Sequence, residues 1–160
     1  MTNNTSIKVC LEDEIGYATE LLELLSAERN ALSKNNGNAL EAVAKQKRLL
    51  AEQLETSAER RSKHLFETTG LATADMQEYL DSSASSTDNQ QPLKELWEQL
   101  VEILAQCREQ NRLNGSILES SQRSIKQAIA LLQGHGQSGE LYGRAGKTLS
   151  NASAHSLTRA

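Results

Sequence analysis

The chain has little proline, few aromatic residues and few cysteines. Its 160 residues include one proline, one tryptophan, three tyrosines, one phenylalanine and two cysteines. Alanine, leucine, glutamate, glutamine, lysine and arginine dominate instead, and these residues favour helices over sheets. The composition therefore predicts an all-α fold.

The number and spacing of the cysteines argue against both a structural metal site and a disulfide framework. Cys10 and Cys107 lack metal-ligand spacing, and two lone thiols in a chain of this length do not form a disulfide framework. We expect both to be reduced core residues. No histidine cluster, phosphate-binding glycine spacing or catalytic motif is present. We therefore predict neither an enzyme nor a metal, cofactor or small-molecule substrate.

Long apolar runs and basic clusters are also missing. The first residues show no basic segment followed by a long apolar stretch, and no run of about 18 apolar residues could cross a bilayer. We expect a cytoplasmic protein without membrane insertion. The net charge of −4 divides into +2 for residues 134–160 and −6 for residues 1–133. An acidic body lacks the clustered basic face that nucleic-acid binding requires.

Apolar residues recur at helical spacing in three long segments. These segments cover about residues 6–32, 38–69 and 92–133. The turn over residues 33–37 is so short that the first two helices must be antiparallel neighbours. Between the second and third helices, Thr73 could cap a short helix carrying Met76, Tyr79 and Leu80. We predict an antiparallel bundle of three long helices with one short helix in the second connection.

Local signals mark the ends of these helices. Asn38 and Glu41 form a variant capping box that predicts the start of the second helix. Gly70 fits a C-terminal cap, and Pro92 fits the first turn of the last helix, where its missing N–H is not needed. Gly134 ends that helix.

Polar residues interrupt the apolar stripes. Arg29 lies in the stripe of the first helix, and Lys47 and Arg61 lie in that of the second. Asn111 and Asn114 lie near the seam of the last helix, with Gly115 beside them. We expect a register-setting polar layer or a slight bend there, because buried asparagine can specify register at a cost in stability.

The far end of the last helix carries an apolar stripe without an obvious intrachain cover. A short helix can cover Leu93, Leu96 and Trp97 at the near end, so we expect Trp97 in the core. The stripe is either a binding surface or ordinary core, closed by the first two helices or by a second copy of the chain. Its residues are Ile117, Leu118, Ile125, Ile129 and Leu132.

A glycine-rich tail follows, with five of the nine glycines after residue 133. We predict two parts: a helical bundle over residues 1–133 and a flexible tail over residues 134–160. Tyr142 in this tail either docks on a partner or packs back against the bundle.

Two segments carry a resemblance to a known family. The first is Asn111-Arg112-Leu113-Asn114-Gly115 on a long helix that ends in Ala130-Leu131-Leu132-Gln133-Gly134. The second is Leu141-Tyr142-Gly143-Arg144-Ala145-Gly146-Lys147-Thr148. Together with the chain length and the helix order, these segments resemble the FlgN family of flagellar export chaperones.

The resemblance implies a binding protein for the hook-associated proteins of the hook–filament junction, which it would keep soluble and bring to the type III export gate. The back half of the long helix is similar to the family's client-binding segment. The residues that this implies are Leu113, Ile117, Leu118, Ile125, Ile129 and Leu132. The Tyr-x-x-x-Gly pattern, here Tyr142 and Gly146, implies docking on the cytosolic domain of the gate. The alternative function is a self-associating coiled-coil structural or adaptor protein, which the basic residues in the seams disfavour.

Overall fold

A computed structural model describes residues 3–70, 75–82 and 91–134. These residues form four helices, and no strand occurs among them. The helices are α1 (Asn3–Ser33), α2 (Gly37–Thr69), α3 (Met76–Ser82) and α4 (Gln91–Leu132). The chain divides into two compact units, Met1–Ser120 and Ser121–Ala160, and the packing described next is that within the first unit. The predicted bundle of three long helices and one short helix is confirmed.

The start of α2 differs from the prediction. Asn36 caps the helix, because its side-chain oxygen accepts a hydrogen bond from the Ala39 backbone N–H at 3.1 Å. The prediction of a cap at Asn38 with Glu41 is wrong. Asn35 adopts a left-handed conformation with φ of 51°, which completes the turn early and leaves Asn36 extended. Glu41 instead forms a surface ion pair with Lys45 at 3.1 Å.

The other helix ends follow the sequence signals. Gly70 has φ of 72° and donates its N–H to the Phe66 carbonyl at 2.8 Å, and Gly134 has φ of 71°. Pro92 lies in the first turn of α4. Thr73, the predicted cap of the short helix, lies outside the described residues. The carboxylate of Asp75 accepts a hydrogen bond from the Gln77 N–H at 3.1 Å at the start of α3.

A seven-residue repeat organises the buried seams. The buried residues of α4 are Leu93, Leu100, Cys107 and Asn114. Buried residues also recur every seven positions in α1 (Leu11, Ala18, Leu25) and in α2 (Val43, Leu50, Ser57). A seven-residue spacing keeps one side of a helix against its neighbour, as in a coiled coil.

Both cysteines are buried and free, as the sequence predicted. The Cys107 thiol donates to the Ala18 carbonyl at 3.3 Å. Burial raises the pKa of the Cys10 thiol and that of Cys107, because the thiolate loses its hydration.

The short helix α3 covers the near end of α4. Met76, Tyr79 and Leu80 are buried in one cluster with Leu93. Trp97 packs against this cluster and donates its indole N–H to the Gln77 side chain at 3.2 Å. The predicted cover is confirmed, although Trp97 is only half-buried and so is not a full core residue.

Candidate functional site

The exposed apolar side chains are concentrated on one segment of α4. The structure exposes ten large hydrophobic residues among those it describes, and six of them fall between residues 117 and 132. These six are Ile117, Leu118, Ile125, Ile129, Leu131 and Leu132. A contiguous exposed apolar patch on a soluble protein commonly marks an interaction site, whereas scattered single residues do not. This segment is therefore the candidate site.

The apolar residues leave the buried repeat at this point. The series of Leu100, Cys107 and Asn114 continues with Ser121 and Ala128, which are small side chains. Leu118, Ile125 and Leu132 form another seven-residue series, and all three are exposed. Asn114 is the last buried residue of α4. After Asn114, the positions that continue the buried seven-residue series carry small side chains. The large apolar side chains of this part of α4 lie at other positions and are exposed.

Five of the predicted client-binding residues are exposed. The exposed fraction of these five side chains ranges from 41% at Ile117 to 87% at Leu132, while Leu113 is half-buried. Leu131, which is 71% exposed, was not among the predicted residues, although it follows Leu113 by about five helical turns and so projects from the same side of α4. Tyr142 and Gly146 lie outside the described residues.

A polar cluster joins α1, α2 and α4 just before the exposed segment. The Asn114 side-chain amide donates to the Leu25 carbonyl and to the Glu28 carboxylate, both at 2.8 Å, and its oxygen accepts from Arg29 Nε at 3.2 Å. Lys47 contacts Glu28 at 3.0 Å and the Asn111 oxygen at 2.9 Å. We call these five side chains (Glu28, Arg29, Lys47, Asn111 and Asn114) the asparagine cluster. The polar layer expected near Asn111 and Asn114 is confirmed.

A second ion pair lies nearer the other end of the bundle. Arg61 Nε and Nη2 donate to the Glu14 carboxylate at 2.8 and 3.2 Å, and the Glu14 side chain is only 3% exposed. The Arg61 guanidinium lies 5.0 Å from the centre of the Trp97 ring. The basic residues that interrupt the stripes thus have acidic or amide partners in neighbouring helices. The sequence pattern showed that basic residues interrupt the apolar stripes, but it did not identify Glu14 and Glu28 as the partners of Arg61 and Lys47.

A groove of about 440 Å³ lies beside the asparagine cluster. Leu32 of α1, Leu40 and Ala44 of α2, and Gly115 and Leu118 of α4 form its less polar walls. Glu28, Glu41, Lys47, Asn111 and Asn114 complete the lining. Leu118 therefore belongs both to the groove and to the exposed stripe.

Residues 3–70, 75–82 and 91–134 contain no group of three or more histidine, cysteine, aspartate or glutamate side chains that could hold a metal ion. None of the described helices is long and apolar enough to span a membrane.

A family model described as FlgN protein matches residues 1–150, which is nearly the whole chain. Neither a search of curated proteins nor a search of solved structures found a significant match. The matched range includes the Asn-Gly segment of α4 and the tyrosine–glycine segment of the tail, on which the resemblance rested. The chain belongs to the FlgN family, a family of flagellar export chaperones rather than enzymes.

Proposed function

We propose that this protein is a cytoplasmic chaperone for the hook-associated proteins of the hook–filament junction. It keeps these clients soluble, prevents their premature assembly and delivers them to the type III export gate. Family membership supports the chaperone class. The observation that carries the binding role is the exposed stripe on the longest helix. We call the proposed surface the α4 face, formed by Leu113, Ile117, Leu118, Ile125, Ile129 and Leu132.

A helical apolar face suits clients of this kind. A protein end that becomes helical only on assembly exposes an apolar face before assembly, and packing it against another helix masks that face. Six large apolar side chains between residues 117 and 132 are at least two-fifths exposed, so they are accessible to a client without unfolding the bundle. Ordering the client on binding lowers the net affinity and keeps release feasible.

We assign gate docking to the tail. In this division, residues 1–133 bind the client and residues 134–160 bind the cytosolic domain of the export gate, with Tyr142 and Gly146 as contacts. The resemblance of the Tyr-x-x-x-Gly segment to the family pattern supports this assignment. The tail is also basic, at +2, while the rest of the chain is acidic, at −6. Separate segments allow both partners to be held at once.

The test replaces two residues of the α4 face. Ile125→Asp with Ile129→Asp should abolish binding to the purified hook-associated proteins, measured by calorimetry, because two charges would enter an apolar contact. The circular dichroism of the free variant should match that of the parent, since these side chains are 56% and 46% exposed. The matched control is Leu49→Asp with Phe66→Asp on α2, at 56% and 49% exposure, which should leave binding intact.

Other outcomes would contradict the proposal. Equal loss of binding in the control would show a nonspecific effect of added charge. Loss of cooperative unfolding in the Ile125 and Ile129 variant would show that these residues are core. If the parent protein binds no hook-associated protein but forms a concentration-dependent oligomer that the variant does not, the exposed stripe serves self-association, which is the alternative function.

A further inference from the structure

A second groove, of about 540 Å³, lies between α1 and α2. Its lining consists of Glu20, Glu23, Leu24 and Ala27 of α1 and Gln46, Leu49, Leu50 and Gln53 of α2. We call it the outer groove. On α1, the carbonyls of Ala18 and Leu25 accept hydrogen bonds from side chains of α4. Glu20 and Ala27 project from the opposite side of α1, because successive residues are about 100° apart around a helix. The outer groove therefore lies away from the contact between α1 and α4.

The lining of each helix has the spacing of a helix-packing face. In both helices the four positions are separated by three, one and three residues, so they share one side of two helical turns. Leu50 is buried and Leu24 is half-buried, whereas Leu49 is 56% exposed. Ala27 is exposed, and its small side chain lets another helix approach closely. The groove thus offers apolar surface to a third helix.

The carboxylates on the α1 side of the outer groove are unpaired. Glu20 and Glu23 are exposed, and neither forms an ion pair within the part of the chain that the structure describes. By contrast, both glutamates of the groove beside the asparagine cluster pair with lysines. The α2 side of the outer groove carries the uncharged amides of Gln46 and Gln53. A cation beside the two glutamates would gain opposite charges, whereas an anion would be repelled.

We propose that the outer groove is a second protein-binding site and that it receives a basic amphipathic helix of a partner other than the client. The apolar stripe of that helix packs on Leu24, Leu49 and Leu50. Its lysine or arginine side chains lie along α1, beside Glu20 and Glu23. In such a complex the apolar stripe provides affinity, and the charges on one flank fix the orientation. All lining residues belong to α1 or α2, so the site is separate from the α4 face.

The probe is a fluorescein-labelled synthetic peptide of about 18 residues, which is long enough to form a helix. It carries leucines at helical spacing on one face and lysines along the flank of that face. Fluorescence anisotropy measures its Kd for the full-length protein. Two control peptides carry glutamates in place of the lysines, or the same residues in a scrambled order without an apolar face. Both should bind at least about tenfold more weakly.

A charge reversal tests the α1 side of the groove. Glu20→Lys with Glu23→Lys should weaken the Kd for the basic peptide by about tenfold or more, because two attractive charges become repulsive. The matched control is Glu55→Lys with Glu59→Lys on α2, which makes the same change in net charge at exposed positions outside the lining. This control should leave the Kd within about twofold at physiological salt, where screening acts within about 8 Å.

A second pair of variants tests the apolar contact without changing the charge. Leu49→Ser should weaken the Kd for the basic peptide by about fivefold or more, because it removes apolar surface from the groove. Phe66→Ser is the matched control, since Phe66 lies on the same helix outside the lining and is similarly exposed, at 49% against 56%. It should leave the Kd nearly unchanged.

Four outcomes would contradict the proposal. If the basic peptide does not bind, or binds no more tightly than the control peptides, the groove is not a site for a basic amphipathic helix. An equal loss in the Glu55 and Glu59 control would show that only net charge matters. If sedimentation instead shows a dimer that Leu49→Ser dissociates, the occupant is a second copy of the chain. If a hook-associated protein displaces the peptide, the groove belongs to the client site and is not a second site.

Discussion

Removing Arg61 should cost much more stability than removing its neighbour Arg60. Arg61 pairs with Glu14, whose side chain is 3% exposed, through hydrogen bonds of 2.8 and 3.2 Å. Arg61→Met keeps the apolar part of the side chain and leaves the Glu14 carboxylate buried without its partner. Arg60 pairs with Asp13 at 3.5 Å, but both side chains are about half exposed. Arg60→Met is therefore the matched control.

The expected losses of stability differ because the Arg60–Asp13 pair is exposed to water, whereas the Arg61–Glu14 pair is nearly buried. Breaking a buried ion pair by removing one partner costs about 3–5 kcal/mol, since the remaining charge is uncompensated. The loss of the Arg61 contact with Trp97 adds to this, by roughly 0.5–2 kcal/mol for a cation–π contact. An exposed ion pair contributes about 0–1 kcal/mol. We expect a loss of about 3.5–7 kcal/mol for Arg61→Met and less than about 1 kcal/mol for Arg60→Met.

A third variant separates the charge effect from packing. Glu14→Met combined with Arg61→Met removes both charges and fills the same space with apolar atoms. Replacing a buried ion pair by apolar residues of similar volume is often neutral or stabilising. The double variant should therefore be more stable than Arg61→Met alone, although it carries one more substitution.

Urea unfolding measures all three free energies. Circular dichroism reports helix content, and Trp97, the only tryptophan, reports the local contact. Coincident transitions would support two-state analysis, and an unchanged m value would show that the denatured state is unaffected. A loss below about 1 kcal/mol for Arg61→Met would refute the reasoning, because it would mean that water solvates Glu14 in the folded state.

Two further predictions concern the asparagine cluster and the tail. Asn114→Ala should cost about 3 kcal/mol in urea unfolding, because buried polar groups of Glu28, Arg29 and Leu25 each lose a partner; a cost below about 1 kcal/mol would show that water replaces the amide. Tyr142→Ala should leave the Tm and the affinity for the hook-associated proteins nearly unchanged, but should weaken binding to the cytosolic domain of the export gate and lower client export. Loss of client binding in this variant would place the tail in the client site.

Helix ends could be predicted from the sequence where one residue dominates the local chemistry. Gly70 and Gly134 adopt positive φ at the ends of α2 and α4, and Pro92 lies where an N–H is dispensable. The start of α2 could not be predicted to the residue, because three asparagines and a glycine occupy positions 35–38. Each asparagine can cap a helix or adopt a left-handed conformation, so their local preferences are nearly equal. In the structure Asn35 takes the left-handed position and Asn36 caps the helix.

The partners of the seam charges could not be predicted for a different reason. Arg61 and Glu14 are 47 residues apart, and Lys47 and Glu28 are 19 residues apart. Their pairing depends on the register between helices, which the spacing within each helix does not determine.

The exposed stripe on α4 could be predicted only in part. Its apolar spacing was visible in the sequence, but only the structure shows that its residues are accessible in the free chain.

The size of the α4 face bears on how tightly a client can be held. Burying one large apolar side chain fully yields about 1.5–3 kcal/mol, and five residues of the α4 face, from Ile117 to Leu132, are 41–87% exposed. Covering these five therefore yields on the order of 4–8 kcal/mol, and the client's own apolar face yields a similar amount. Association and ordering of the client oppose this by at least about 6 kcal/mol. The net binding free energy is then well below the gross gain, which suits the release of the client that the proposed function requires. Replacing Ile125 and Ile129 by aspartate removes about 1.5–3 kcal/mol of the gain and places two charges in the contact, which is why these two substitutions should suffice to abolish binding.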